Sequence, residues 1–221
     1  KALGIKMGQP IFQIQDFITQ HNVAVFSANF TLYGDISRRV MNTLRNMAPA
    51  LEVYSIDEAF IGLHGVAGLE QFAETARQTV LRHTGIPTCV GIGPTKTLAK
   101  VANHLAKKQP QYGGVVVLRG PEDYQPVLAA LPVEDVWGIG RRYHKLLNQN
   151  GITTAAQLAA LPDAWLRANL TVVGLRLACE LRGNACLALE DITPKKAICV
   201  SRSFGSMLAQ LGPIREAVAT F

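Results

Sequence analysis

The stretch LEVYSIDEAFIGL, residues 51–63, sets Asp57 and Glu58 side by side inside an otherwise apolar run rich in β-formers. In a regular strand, neighbouring side chains point to opposite faces, so two adjacent acids diverge unless the backbone turns at or beside them. Two short strands folded back near the pair satisfy both the apolar flanks and the charges. A turn there lets the carboxylates converge. Converging carboxylates repel and raise each other's pKa, a penalty that a divalent cation removes by favouring the ionised forms. The hard cation that suits carboxylate oxygens is Mg²⁺ or Mn²⁺, which completes its shell with water and substrate phosphate. The plainer reading is an acidic hairpin tip in solvent.

Working outward, residues 34–47 place Ile36, Val40, Leu44 and Met47 at helical spacing behind Asp35, a suitable N-cap. Residues 69–85 read as an amphipathic helix closed by Gly85. TCVGIG (88–93) reads as a short strand, residues 95–108 as a helix and GGVVVL (113–118) as a further strand. This order is the back part of a β-α-β-β-α-β unit, and the expected fold class is α+β with an incomplete ferredoxin-like sheet covered by helices on one face. The candidate for the first strand, VAVFSANF (23–30), contains no acid.

Beyond Gly120 strands disappear, and an all-helical domain is expected from about Pro121, with the helix over 163–182 interrupted near Gly174. Periodicity fails from about Gly183 to Lys196, as in a linker, and AICVSRSFG (197–205) reads as one strand of another domain.

The helix at 95–108 sets Leu98, Val101, Ala102 and Leu105 on one face and Lys96, Lys100 and Lys107 along the opposite one. A lysine stripe is commonly a solvated face; beside a metal-binding hairpin, a lysine of the last turn reaches triphosphate oxygens. WGIGRR (137–142) adds a glycine hairpin leading into a helix. Backbone N–H groups and the helix N-terminus there make a phosphate site ringed by Arg141, Arg142 and Lys145.

The 221 residues are 48% hydrophobic, and no run of about twenty apolar residues spans a membrane. A soluble, cytoplasmic globular protein is expected. Twenty-two Lys and Arg against sixteen Asp and Glu give a net charge of +6, favouring a polyanionic partner. Cys89, Cys179, Cys186 and Cys199 show no metal-ligand spacing and follow no secretory signal, so they are expected as reduced, buried thiols.

YSIDEAF, GIGPTKTLAKVANHLAKK, LPVEDVWGIG and SRSFG stand in the order found in the Y-family translesion DNA polymerases, which the chain resembles along essentially its whole length. The resemblance implies a polymerase shaped like a right hand, built of fingers, palm, thumb and little finger. It assigns residues 1–31 to the end of the fingers, 32–120 to the palm and 121–184 to a thumb with a helix-hairpin-helix. A linker at 185–197 then leads to the start of the little finger at 198–221. By motif, Asp57 and Glu58 resemble two of three metal-binding carboxylates for two Mg²⁺ ions, with Mn²⁺ as a substitute. Ser55 and Lys107 resemble nucleotide-binding residues. Gly138, Ile139, Gly140, Arg141, Arg142, Lys145 and Arg202 resemble contacts to DNA.

The implied partners are primer-template DNA and a deoxynucleoside triphosphate and, by likeness to the SOS-mutagenesis members, a processed UmuD dimer, RecA and the sliding clamp. The family's third aspartate and much of its fingers are expected on a segment before Lys1, so the ends read as cut and these 221 residues alone are expected to lack polymerase activity. A non-catalytic DNA-backbone-binding module and a nucleotide cyclase with a palm-like fold are the alternatives.

Overall fold

The computed structural model describes residues 3–190, 197–201 and 203–220. A short helix α1 (Gln15–Gln20) precedes α2 (Phe30–Arg45), which begins where Asn29 Oδ1 accepts a hydrogen bond from Leu32 N at 3.0 Å. The helix therefore starts five residues before the expected Asp35 cap. Asp35 lies inside it and pairs with Arg38 one turn on. VAVFSANF forms no strand: residues 23–29 are irregular and Phe30 opens α2.

Strands β1 (Ala50–Val53) and β2 (Ala59–Gly62) pair antiparallel with Val53 opposite Ala59, so residues 54–58 make the turn. Helix α3 (Leu69–Thr84) follows and stops at Gly85, whose φ of 74° is the left-handed cap that glycine adopts without strain. Strand β3 (Val90–Ile92), helix α4 (Lys96–Lys108) and strand β4 (Val115–Val117) form a crossover in which β3 and β4 run parallel. Thr95 Oγ1 caps α4 by accepting from Leu98 N, and Leu98, Val101, Ala102 and Ala106 are buried beneath it. The helix lies so close to β3 that a Cβ on Gly91 would fall 2.0 Å from Asn103 N.

The expected single sheet is corrected to two separate two-stranded sheets, β1–β2 and β3–β4, because β2 and β3 share no ladder hydrogen bonds. Both α3 and α4 pack on the second sheet.

The remaining described elements are helical, as the loss of strand pattern implied: α5 (Pro121–Ala130), α6 (Arg141–Gln149), α7 (Ala155–Ala160), α8 (Asp163–Leu181) and α9 (Leu211–Thr220). One apolar core runs from α4 through α5, α7 and α8, with Leu98, Leu158, Leu166, Leu170 and Leu181 fully buried. The interruption of α8 falls at Thr171, which takes φ 63° and ψ −171°, three residues before the expected break at Gly174. Gly174 serves packing instead: a Cβ there would sit 2.1 Å from Leu170 Cβ.

The expected strand at 197–205 does not form among its described residues, where Ile198 and Val200 are exposed and find no neighbouring strand. The four cysteines are free, but only Cys89 and Cys179 are half-buried; Cys186 and Cys199 lie at the surface, because both follow the last core helix. No helix among the described residues is long and apolar enough to cross a membrane.

Candidate metal and nucleic-acid site

The β1–β2 turn is closed by two backbone bonds, from Tyr54 N and Ser55 N to Glu58 O, each 3.0 Å. Ser55 Oγ donates to Asp57 Oδ1 at 2.8 Å and accepts from Asp57 N, which orients the exposed Asp57 carboxylate. From outside the turn, Ser37 Oγ on α2 donates to Ile56 O at 2.5 Å. Glu58 is half-buried and forms an ion pair with Lys100 on α4, Nζ to Oε1 2.5 Å. The backbone reversal thus places both acids at one turn, and α4 supplies a counter-charge to one of them.

Lys96, one turn earlier on α4, pairs with Glu52 of β1 at 2.5 Å, the side chains being 10% and 8% exposed. Its ammonium also stands 5.0 Å from the Phe60 ring centroid. The lysine stripe is therefore divided. Lys96 and Lys100 are held by the hairpin, whereas Lys107 is exposed in the last turn, seven residues and about 10 Å of helix beyond Lys100.

The glycine hairpin meets the acidic one through aromatic rings. Trp137 packs against Tyr54 and Phe60 with centroids 5.5 and 5.7 Å away, and Tyr54 lies 5.5 Å from Phe60. Tyr54 and Phe60 flank the acidic turn; Trp137 immediately precedes Gly138. Gly138 takes φ 93°, Ile139 is buried as the apolar plug of its hairpin, and Gly140 opens α6 without a side-chain cap. The first N–H groups of α6 thus have no intrahelical or side-chain acceptor, the arrangement that receives an anion. Arg141, Arg142 and Lys145 are exposed around them. An acidic residue is also near: Glu134 lies 3.1 Å from His144 Nε2. Arg202 lies outside the described residues.

Among the described residues, no three His, Cys, Asp or Glu side chains converge on a common point. Asp57 and Glu58 nonetheless fit a divalent ion in donor chemistry. They are hard oxygen ligands, and Mg²⁺ is commonly held by one or two carboxylates with water and substrate phosphate.

Three residues central to this geometry escape a reading by motif. Glu52 looks like an ordinary strand acid, and its burial depends on Lys96, 44 positions away. Trp137 stands in its motif, but only the fold brings it to Tyr54. Glu180 is fully buried on α8 with its carboxylate at the start of α4, a placement no local pattern reveals.

The profile described as the impB/mucB/samB family matches residues 1–104, which include the acidic turn, Lys96 and Lys100. Protein UmuC of Salmonella typhimurium (strain LT2) is 46% identical over 226 residues, an alignment covering 100% of this chain and 54% of UmuC. The chain resembles the Y-family polymerases in sequence and in fold. Among solved Y-family structures, one described as a Y-family DNA polymerase chimera gives a TM-score of 0.72 at 27% identity, covering 88% of this chain and 56% of that one. The insertion ternary complex of Dbh DNA polymerase gives 0.66 at 27%, covering 81% and 53%. The chain spans about half the length of the curated relative it matches. Its glycine hairpin lies beyond the profile match but within the full-length alignment to UmuC.

Proposed function

We propose that the protein to which these residues belong is a DNA-directed DNA polymerase of the translesion type, extending a primer 3'-hydroxyl from a deoxynucleoside triphosphate. The observation that carries this reading is the joint at Trp137. An acidic turn suited to divalent ions and a glycine hairpin suited to backbone phosphate are packed against each other through three aromatic rings. A nucleotidyl transferase that acts on a duplex needs both.

In this reading residues 1–31 end the fingers, 32–120 form the palm, 121–184 the thumb, 185–197 a linker and 198–221 the start of the little finger. Asp57 and Glu58 hold Mg²⁺, or Mn²⁺ in its place. Bound there, the ions would lower the pKa of the attacking 3'-hydroxyl and offset negative charge on the triphosphate. Ser55 keeps Asp57 oriented through its 2.8 Å hydrogen bond, and Lys100 limits the charge left on Glu58 before substrate arrives. Lys107 neutralises charge on the triphosphate from the exposed end of α4. The N–H groups of Gly138 and Gly140, with Arg141, Arg142 and Lys145, hold primer-template phosphates without reading bases, while Ile139, whose own N–H donates to Val136 O at 3.0 Å, anchors the hairpin between them. The division of the strands supports the same reading. A ferredoxin-like palm is one sheet, and a further strand between β2 and β3 would join the two halves and bring a third carboxylate beside Asp57.

By relation to UmuC, the proposal extends to a cytoplasmic site of action and to a processed UmuD dimer, RecA and the sliding clamp as partners. No observation favours a cyclase or a non-catalytic module. The test is primer extension with Mg²⁺ by a polypeptide of the relatives' full length. Asp57→Ala should lower extension by about a thousandfold or more while changing primer-template affinity by less than about threefold. Extension that survives the substitution would overturn the assignment.

A further inference from the structure

The segment after α8, expected as a linker, is fastened at two points, and each fastener is a buried carboxylate. Glu180, fully buried, accepts backbone bonds from Cys186 N at 2.7 Å and Leu187 N at 3.1 Å through Oε1, and from Thr97 N at 3.0 Å through Oε2. Thr95, the cap of α4, donates to the backbone oxygen of the same residue at 2.9 Å. Glu52 Oε2 accepts from Glu190 N at 2.8 Å as well as pairing with Lys96. Between the anchors, Leu189 covers β2 so closely that a Cβ on Gly62 would meet Leu189 Cδ1 at 3.1 Å.

A buried carboxylate is tolerated when its oxygens are filled by donors, and these two obtain donors from the same short segment. Both anchors also meet the first turn of α4, at the consecutive residues Lys96 and Thr97. The next turn carries Lys100, the partner of Glu58. A continuous path of one backbone hydrogen bond, two ion pairs and one helical turn runs from Glu190 through Glu52, Lys96 and Lys100 to the acidic turn.

We propose that residues 184–190 form a strap clamped by Glu180 and Glu52, and that Glu52 is a positioning residue for Asp57 and Glu58. Its role as a positioning residue rests on the reading of the acidic turn given above; the strap itself does not. Glu52 accepts from the strap and pairs with α4 through a single oxygen, so strand, helix and strap share one register.

Amide hydrogen exchange on the 221-residue chain, without DNA, tests this. In the parent, the amides of Cys186, Leu187 and Glu190 should exchange at least about tenfold more slowly than an unstructured chain. Glu52→Gln should speed exchange at Glu190 and at Tyr54 and Ser55, whose amides close the acidic turn, by about tenfold, leaving Cys186 and Leu187 protected. Glu180→Gln should release Cys186 and Leu187 and leave Glu190 protected. If Glu52→Gln unfolds the chain, seen as lost protection at buried Leu166, the double change Glu52→Gln with Lys96→Met removes the pair without leaving a buried charge and should give the same selective release. Unprotected amides in the parent would overturn the strap. Release of Glu190 with an unchanged turn would overturn the positioning role. Neither outcome touches the polymerase assignment, which primer extension decides.

Discussion

Lys100 and Lys107 occupy the same stripe of α4 and meet different surroundings. Lys100 is 2.5 Å from Glu58 with the side chains 19% and 27% exposed, so Lys100→Met leaves a half-buried carboxylate without its cation. Partial exposure screens the loss, and a destabilisation of about 1–2 kcal/mol is expected in urea denaturation. Lys107 is exposed, and Lys107→Met should change stability by less than about 0.5 kcal/mol while, under the proposed function, raising KM for the triphosphate in a polypeptide of the relatives' full length. Gly91 gives a sharper case: a methyl there would overlap α4 at Asn103, so Gly91→Ala should cost about 3 kcal/mol or more by the same measurement. The acidic pair was legible from its own sequence because adjacent charges in an apolar run demand a turn. The division of the lysine stripe was not, since spacing shows which lysines share a face but not which of them meets a carboxylate 42 residues away.

The helices and the hairpin followed from periodicity and caps wherever the deciding interaction is local. Thr95 capping Leu98 is such a case, and α4 begins where its sequence says. The start of α2 was misplaced because two good caps, Asn29 and Asp35, compete and the apolar spacing beyond Asp35 fits either. In α8 the glycine suggested the break, yet the glycine is required for close packing and the break falls on a threonine. Thr171 stands in a backbone region that favours glycine, with Val173 N bonded to its Oγ1 at 3.3 Å. Thr171→Gly relieves that strain and loses a weak cap, so a net gain of about 1 kcal/mol is expected in thermal or urea unfolding. The strand expected at 197–205 shows the limit of a local reading: alternation proposes a strand, but only a neighbour makes one.

Across the whole molecule, the excess of positive charge and the phosphate role proposed for the glycine hairpin predict that binding to duplex DNA is insensitive to sequence and sensitive to salt. With about three phosphate contacts from Arg141, Arg142 and Lys145, affinity should fall roughly 10- to 100-fold between 50 and 200 mM salt. Fluorescence anisotropy with two unrelated duplexes measures both properties; a strong preference for one duplex would contradict backbone recognition. The aromatic joint formed by Trp137, Tyr54 and Phe60 adds a consequence for how much DNA is covered. It makes the acidic turn and the glycine hairpin two marks on one rigid gauge. Under the proposed function, the count of base pairs between the primer end and the first held phosphate would then be a constant of the protein, unchanged by sequence or by a distorted template base.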